Sequence, residues 1–469
     1  MKPPVILAAI ATTLLSGCVS FTPDGGFGTV DSAVRERTGQ ETRWIRSDND
    51  ADSVRARVRE LLAQPLSAES AVQVALLSNP GLQASYAEMW IAEADLVQAS
   101  RWKGPTFSFA RLRRGNETEL ERSVFFDILG LISIPLSTKV ERRRFEVAQA
   151  RATGEALKVA LEARKSFFSA VAAEEGVRYM EQVRLAAEAS ADLARRMAAV
   201  GNWPKLNQAR EQVFYAEATA QLARVKQAKV VTRERLTRAM GLWGEDLRFA
   251  LPERLPDLPK VARETGDLEA QALAQRLDVQ AARRETEALA KSMDLTQVTR
   301  FLDLLEFGLH HNSETDKPTQ RGWEIELRIP IFDFGGARAV RAEQLYMQSV
   351  NRVADAAIRA RSEVRETYSA YRTSFDLAKH YRDEIVPLRK RISEEMLLRY
   401  NGMLASVFEL LADSRDSVMS VNAYIEALRD FWHAESDLQA ALTSGSPSAI
   451  AGSTSPKTMG LPAGGGAPH

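Results

Sequence analysis

From Trp323 to Ile331 the chain alternates: Trp323, Ile325, Leu327, Ile329 and Ile331 fall on one parity, Glu324, Glu326 and Arg328 on the other. A period of two predicts a strand with one apolar and one charged face. After Gly335 and Gly336 the rule changes. The stretch "ARAVRAEQLYMQSVNRVADAAIRARSEV" lacks Pro and Gly and is rich in Ala, Arg, Glu and Gln, which is helix composition by propensity. Phe107 and Phe109 against Thr106 and Ser108 repeat the alternation more weakly. The pattern predicts four strands, Thr106 to Arg113, Ser123 to Ile134, Leu304 to His311 and Trp323 to Phe332, with "GNETE" and "SETDKPTQR" as the turns.

Long helices account for most of the remainder. From Val140 to Val200 there is no Pro and only Gly154, so a helix of about sixty residues would run close to ~90 Å. Its distal half carries two heptad seams: Val177, Met180, Arg184, Ala187, Ala191, Ala194 and Ala198, and Val183, Ala186, Ser190, Leu193, Met197 and Val200. The two lie about 100° apart around the helix, so it is equipped to pack on two sides. A third seam runs from Leu410 through Val421, Leu428 and Phe431 to Leu442. Pro387 is expected to kink its helix by removing one hydrogen bond.

The chain also repeats itself. Asn79-Pro80-Gly81-Leu82-Gln83-Ala84 precedes Arg276-Leu277-Asp278-Val279-Gln280-Ala281 by 197 positions, Ile134-Pro135 precedes Ile329-Pro330 by 195, and Gly201 precedes Gly402 by 201. Three landmarks in one order at nearly one offset argue for duplication. The expected organisation is a signal peptide over 1–17, an extended arm over 18–66 with a short helix near Val54 to Ala63, a first repeat over 67–250, a Pro-rich connector over 251–266, a second repeat over 267–443, and a disordered Gly/Pro/Ser tail over 444–469. Each repeat reads as helix, two strands, very long helix, Gly turn and returning helix.

Composition narrows the function classes. Lys+Arg and Asp+Glu both stand at 62 in 469 residues, which argues against a nucleic-acid binder. The one cysteine, Cys18, ends a basic-then-apolar leader, "MKPPVILAAIATTLLSGC", too short to span a bilayer. No other segment reaches the length of a transmembrane helix, so any crossing must use strands. Four strands cannot close, and open edges in hydrocarbon leave backbone groups unsatisfied at several kcal/mol each; subunits would have to pool their strands. No phosphate loop, zinc spacing or nucleophile motif stands out, and His310-His311 is the sole adjacent histidine pair. Neither catalysis nor a cofactor or metal site is expected.

Over about residues 67 to 443 the chain resembles the TolC-family outer-membrane factors of tripartite efflux pumps. The motifs that carry this are "ALLSNPGLQAS" with "ALAQRLDVQAA", "RIPIFDFGGARAVRA", "EIVPLRKRISEEMLLRYNG" and the lipobox-like "LSGC". The resemblance implies a mainly α fold with a membrane β-barrel: a homotrimer whose twelve-stranded outer-membrane barrel, four strands per chain, continues into a twelve-helix periplasmic tube. It implies lipid attachment at Cys18, and Val19 after it implies outer-membrane sorting. Glu324, Glu326 and Arg328 would face the barrel lumen and the isoleucines the outer-membrane lipid. Pro135, Pro330, Gly335 and Gly336 would join barrel to tube. Val200, Gly201, Asn202, Gly402, Met403 and Leu404 would form the tips that meet a periplasmic membrane-fusion adaptor, with an inner-membrane pump of the resistance-nodulation-division class behind it. The family's usual constriction Asp falls at Leu411 or Ala412 here, which leaves Glu409, Asp413 and Asp416, on one helix face, as candidate periplasmic gate. Three readings stay open: an export duct, a lipid-anchored coiled-coil scaffold without a pore, and a periplasmic enzyme.

Overall fold

The computed structural model describes residues 20–264, 266–299, 304–328 and 332–445. Cys18, Ile329, Pro330 and Ile331, the leader, and the tail from residue 446 lie outside them. The N-terminal arm is not extended. It forms α1 (Phe27–Thr38) and α2 (Asp48–Leu62), which lay Val30, Val34, Val54 and Val58 into the main core. Then come α3 (Ala68–Ser78), α4 (Pro80–Ala99), β1 (Thr106–Arg114), β2 (Glu117–Asp127), α5 (Ile128–Ala199) and α6 (Lys205–Met240). The second half repeats the order with α7 (Leu268–Gln275), α8 (Leu277–Thr299), β3 (Leu304–Glu314), β4 (Gln320–Arg328), α9 (Gly336–His380), α10 (Val386–Asn401) and α11 (Val407–Thr443).

Several strand boundaries differ from expectation: the second strand begins at Glu117, not Ser123, and the third runs past His311 to Glu314. The second strand ends at Asp127, not Ile134, and Pro135 therefore lies inside α5, one to two turns from its start. The cause is Asp127, whose carboxylate accepts the Gly130 N–H at 2.7 Å and caps the helix before the apolar run "ILGLISIP" can extend the strand. The fourth strand spans Gln320–Arg328, starting earlier than Trp323, because Asn312 and Gln320 pair across the turn. With 72 residues, α5 is about 108 Å long. Pro387 does not break its helix. A π turn over Tyr381–Ile385 widens the backbone just ahead of it, which is one way a helix absorbs a proline ring.

The main core sits at mid-height, where the arm, α3 and α4 pack on α5, α9 and α11 through Tyr86, Phe167, Tyr371, Phe375 and Phe431. The break between α3 and α4 is held by the end of α6. Ser78 Oγ donates to Met240 O at 2.6 Å and Asn79 Nδ2 to Ala239 O at 3.1 Å. At the α6 terminus Gly241 adopts φ +68, and a Cβ there would meet Asn79 Cα at 2.8 Å, so this approach requires glycine. The matching break between α7 and α8 carries a different device. Arg276, fully buried, forks onto Asp278 at 2.6 and 3.0 Å and reaches Glu363 of α9 at 2.8 Å. The Pro-rich connector is a packed strap: Leu255 and Leu258 are buried, Leu255 N–H donates to Glu175 at 3.1 Å, and Trp432 donates to Pro256 O at 3.1 Å.

His433 of α11 faces α5, with Nε2 3.0 Å from Ser169 Oγ and 3.1 Å from the Lys165 carbonyl. Burial, reinforced by Lys165 and Arg429, holds its pKa at about 3, against an ordinary 6.5. Between those values the unfolded chain binds a proton that the folded chain refuses, so stability rises with pH across the window and falls on acidification. At pH 5 the loss should be about 2 kcal/mol. Thermal unfolding from pH 7 to pH 4 is expected to show it, and His433→Gln is expected to flatten the dependence.

Candidate functional site

The four strands form one antiparallel sheet in the order β1-β2-β3-β4, which leaves β1 and β4 as edges. Residues opposed across antiparallel strands share a face. One face stacks Leu305 with Leu327, then Phe126, Phe307 and Ile325, then Phe107, Val124, Leu309 and Trp323, in three successive rows. This surface is open: Phe107 is 75% exposed and Trp323 70%. Trp102, just before β1, stacks on Phe126 at 5.7 Å and donates its indole N–H to Asp127 O, which finishes the apolar face on the helical side.

The opposite face is acidic. Glu324, Glu326 and Arg328, all exposed, share it with Glu119, Glu121 and Glu306. His310 and His311, being adjacent on a strand, point to opposite faces, and His310 pairs with Glu324 at 2.7 Å. The polar face has one aromatic that the sequence did not single out. Phe125 lies over Gly308, where a Cβ would come within 2.7 Å of its ring, and meets His310 edge-on.

An aspartate stands at or just before the start of each helix leaving the sheet. Asp127 caps α5; Asp333 accepts the Gly335 N–H at 2.9 Å, and its carbonyl accepts Gly336 N–H at 2.8 Å. Phe334 (φ 49) and Gly335 (φ 72) are consecutively left-handed there, which fixes the bend into α9. Gly335 and Gly336 thus stand at a strand-to-helix switch, whereas Pro135 stands inside α5. Ser137 and Thr138 of α5 reach Ala99 O at 3.3 and 3.4 Å, tying the end of α4 to the same region.

At the far end of α5, Gly201 (φ 79) turns the chain, with Asn202 N–H closing on Met197 O at 3.0 Å. The second tip solves the same problem differently. Gly402 has φ −80, and Met403 takes the left-handed position at φ 61. Val200, Met403 and Leu404 are exposed there, the last two by 94% and 82%. Of the acidic triplet, Glu409 closes a capping box with Ser406, whose N–H and hydroxyl hold its carboxyl below the usual range. Asp413 is buried and accepts from Ser393 at 2.6 Å, and Asp416 pairs with Arg389 at 3.1 Å. All three lie near the start of α11, the latter two bound to α10.

Nearby is a three-helix clamp that the sequence did not reveal. Glu211 of α6 is completely buried; it accepts from Ser190 of α5 at 2.7 Å and from Arg415 of α11 at 2.9 Å. The Arg415 guanidinium also lies 4.1 Å from the Phe214 ring centre. Of the first seam, Val177, Met180, Ala187, Ala191 and Ala194 are buried within the chain. The second splits: Val183 and Ser190 are buried, whereas Ala186, Leu193 and Val200 remain exposed.

Among the described residues no helix is long and apolar enough to cross a membrane, and no group of three or more metal-ligating side chains assembles. No protein-family model matches this sequence, and no curated protein matches it. Solved structures do. The Campylobacter jejuni CmeC outer membrane channel superposes with a TM-score of 0.69 at 15% identity, over 86% of this chain and 89% of its own. The open state of the Neisseria gonorrhoeae MtrE outer membrane channel does so at 0.66 and 15%, over 83% and 89%. The chain has the TolC-like outer-membrane channel fold. A membrane protein from Pseudomonas aeruginosa shares this channel fold as well, with a TM-score of 0.69 at 17% identity over 82% of this chain and 93% of its own.

Proposed function

We propose that the protein is a subunit of the exit duct of a tripartite efflux system, passing exported small molecules or metal ions from an inner-membrane pump and its adaptor to the exterior without chemistry of its own. The observation that carries this reading is the sheet: three uninterrupted apolar rows on one face, acids on the other, and two open edges. Such a face calls for an apolar cover, which hydrocarbon supplies, and such edges are stable there only when paired. Copies of the chain supply the missing partners. Three copies with four strands each give twelve, within the range of outer-membrane barrels. Leu193, an exposed member of the second seam, is available for packing between neighbouring copies.

The same arrangement puts Glu324, Glu326 and Arg328 on the lumen side and extends the pore through α5, α6 and α9 to α11. The exposed Met403, Leu404 and Val200 suit a periplasmic adaptor, and a pump of the resistance-nodulation-division class is the partner that the lipobox-like "LSGC" favours. Lipid on Cys18 would add an anchor to an outer-membrane location. The matching order of elements in the two halves supports a duplicated chain.

The test is electrical. Purified full-length protein added to planar bilayers is expected to give discrete conductance steps, with the three-copy assembly extractable in detergent. A lone subunit that stays in solution once its acylated cysteine is removed, and carries no current, sinks the reading.

A further inference from the structure

Above its three apolar rows, the outward face of the sheet changes character within one strand repeat. Phe109 stands opposite Arg122, and His311 opposite Arg321, two residues or about 7 Å beyond the row of Phe107, Val124, Leu309 and Trp323. Nearer the hairpin tip the same face of β1 carries Arg111 and Arg113. All four arginines are exposed. Among the described residues Arg111, Arg122 and Arg321 have no acidic partner, and Arg113 only touches the Gly115 carbonyl through Nε at 3.2 Å. The acids of these rows are on the other side: Glu121 and Glu119 stand opposite Ala110 and Leu112. The sheet is therefore charged oppositely on its two faces at one height.

We propose that this margin grips the phosphate-bearing glycolipid headgroups of the outer leaflet, the lipid A layer. The inference rests on reading the apolar rows as the wall that meets lipid. A ligand for this surface must offer acyl chains to Phe107 and Trp323 and, about 7 Å farther out, anionic groups to several guanidinium forks. A phosphorylated lipid in the leaflet nearer the hairpin tips has that layout, and arginine matches phosphate better than a point charge does. A soluble anionic partner would leave the apolar rows uncovered.

Full-length protein in detergent, titrated with diphosphorylated lipid A and followed by native mass spectrometry, tests this. Wild type is expected to retain the lipid. Binding should weaken about tenfold or more in Arg111→Gln/Arg113→Gln/Arg122→Gln/Arg321→Gln, and about threefold in either pair Arg111→Gln/Arg122→Gln or Arg113→Gln/Arg321→Gln, the pairs serving if the quadruple variant fails to fold. Arg55→Gln/Arg57→Gln/Arg59→Gln, on α2, should bind as wild type. Lipid A stripped of phosphate should bind weakly, and millimolar inorganic phosphate should not displace the intact lipid. Absent wild-type binding, equal binding of the stripped lipid, indifference to the arginine changes, or displacement by inorganic phosphate would each overturn the proposal. Conductance in planar bilayers keeps the two readings apart: current without lipid A binding removes only the grip, whereas no current removes the duct.

Discussion

Phe307→Arg is expected to yield a chain that is made and exported but forms no conducting assembly. Phe307 occupies the middle apolar row, flanked by Phe126 on β2 and Ile325 on β4, so its substituent has hydrocarbon on every side once the sheet is in a bilayer. An arginine at such a depth costs roughly 2–4 kcal/mol, and a three-copy barrel incurs it three times, for about 6–12 kcal/mol in all. That equals most of the stability of an ordinary fold. Glu306→Gln, on the adjacent residue but the acidic face, should leave conductance steps present. Planar-bilayer recording and gel mobility of the unheated assembly report both outcomes; full activity in Phe307→Arg would mean that this face never meets lipid.

Arg415→Met is expected to loosen the ends of α5, α6 and α11 nearest the tips. Glu211 would keep Ser190 as hydrogen-bond donor but lose its countercharge while remaining buried, and breaking such a pair costs roughly 3–5 kcal/mol. The packing of Arg415 on Phe214 is retained in part by methionine, so the charge is what the substitution removes. Limited proteolysis should then cut near Gly201 and Gly402 sooner than in wild type, with a lowered unfolding temperature. The double replacement Arg415→Met/Glu211→Leu, which removes both charges, should recover most of the loss. Unchanged proteolysis in the single variant would show that the clamp carries little of the local stability.

What the sequence discloses depends on whether a residue's partner is near in sequence or its pattern periodic. The alternation at Trp323 to Leu327 was legible because each parity keeps one chemistry. β2 was harder: Phe125 and Phe126 put an aromatic on each face, and the following "ILGLISIP" is apolar enough to read as more strand, although the Asp127 and Gly130 spacing held a capping signal. Of the arm's two helices, α2 was legible in part as the short helix near Val54 to Ala63, whereas α1 was missed because it buries little beyond Val30 and Val34. The long helices were visible through absent prolines and glycines, and the turns at their far ends through Gly201 and Gly402. Glu211 and Arg415 stand 204 residues apart, so nothing local could couple them. At the second tip the residue type misled in a smaller way, since Met403 and not Gly402 takes the left-handed turn.

The two open strands at the margins of the sheet also bear on what happens when sound and faulty chains mix. In a ring that closes only through β1 of one copy meeting β4 of the next, a defective subunit with one sound margin can still be recruited. It blocks the last join instead of dropping out. When half the pool is faulty, only about one ring in eight is wholly sound if three copies mix at random. In the proposed three-copy ring, a faulty chain made alongside the wild type should therefore depress function far beyond its share of the pool.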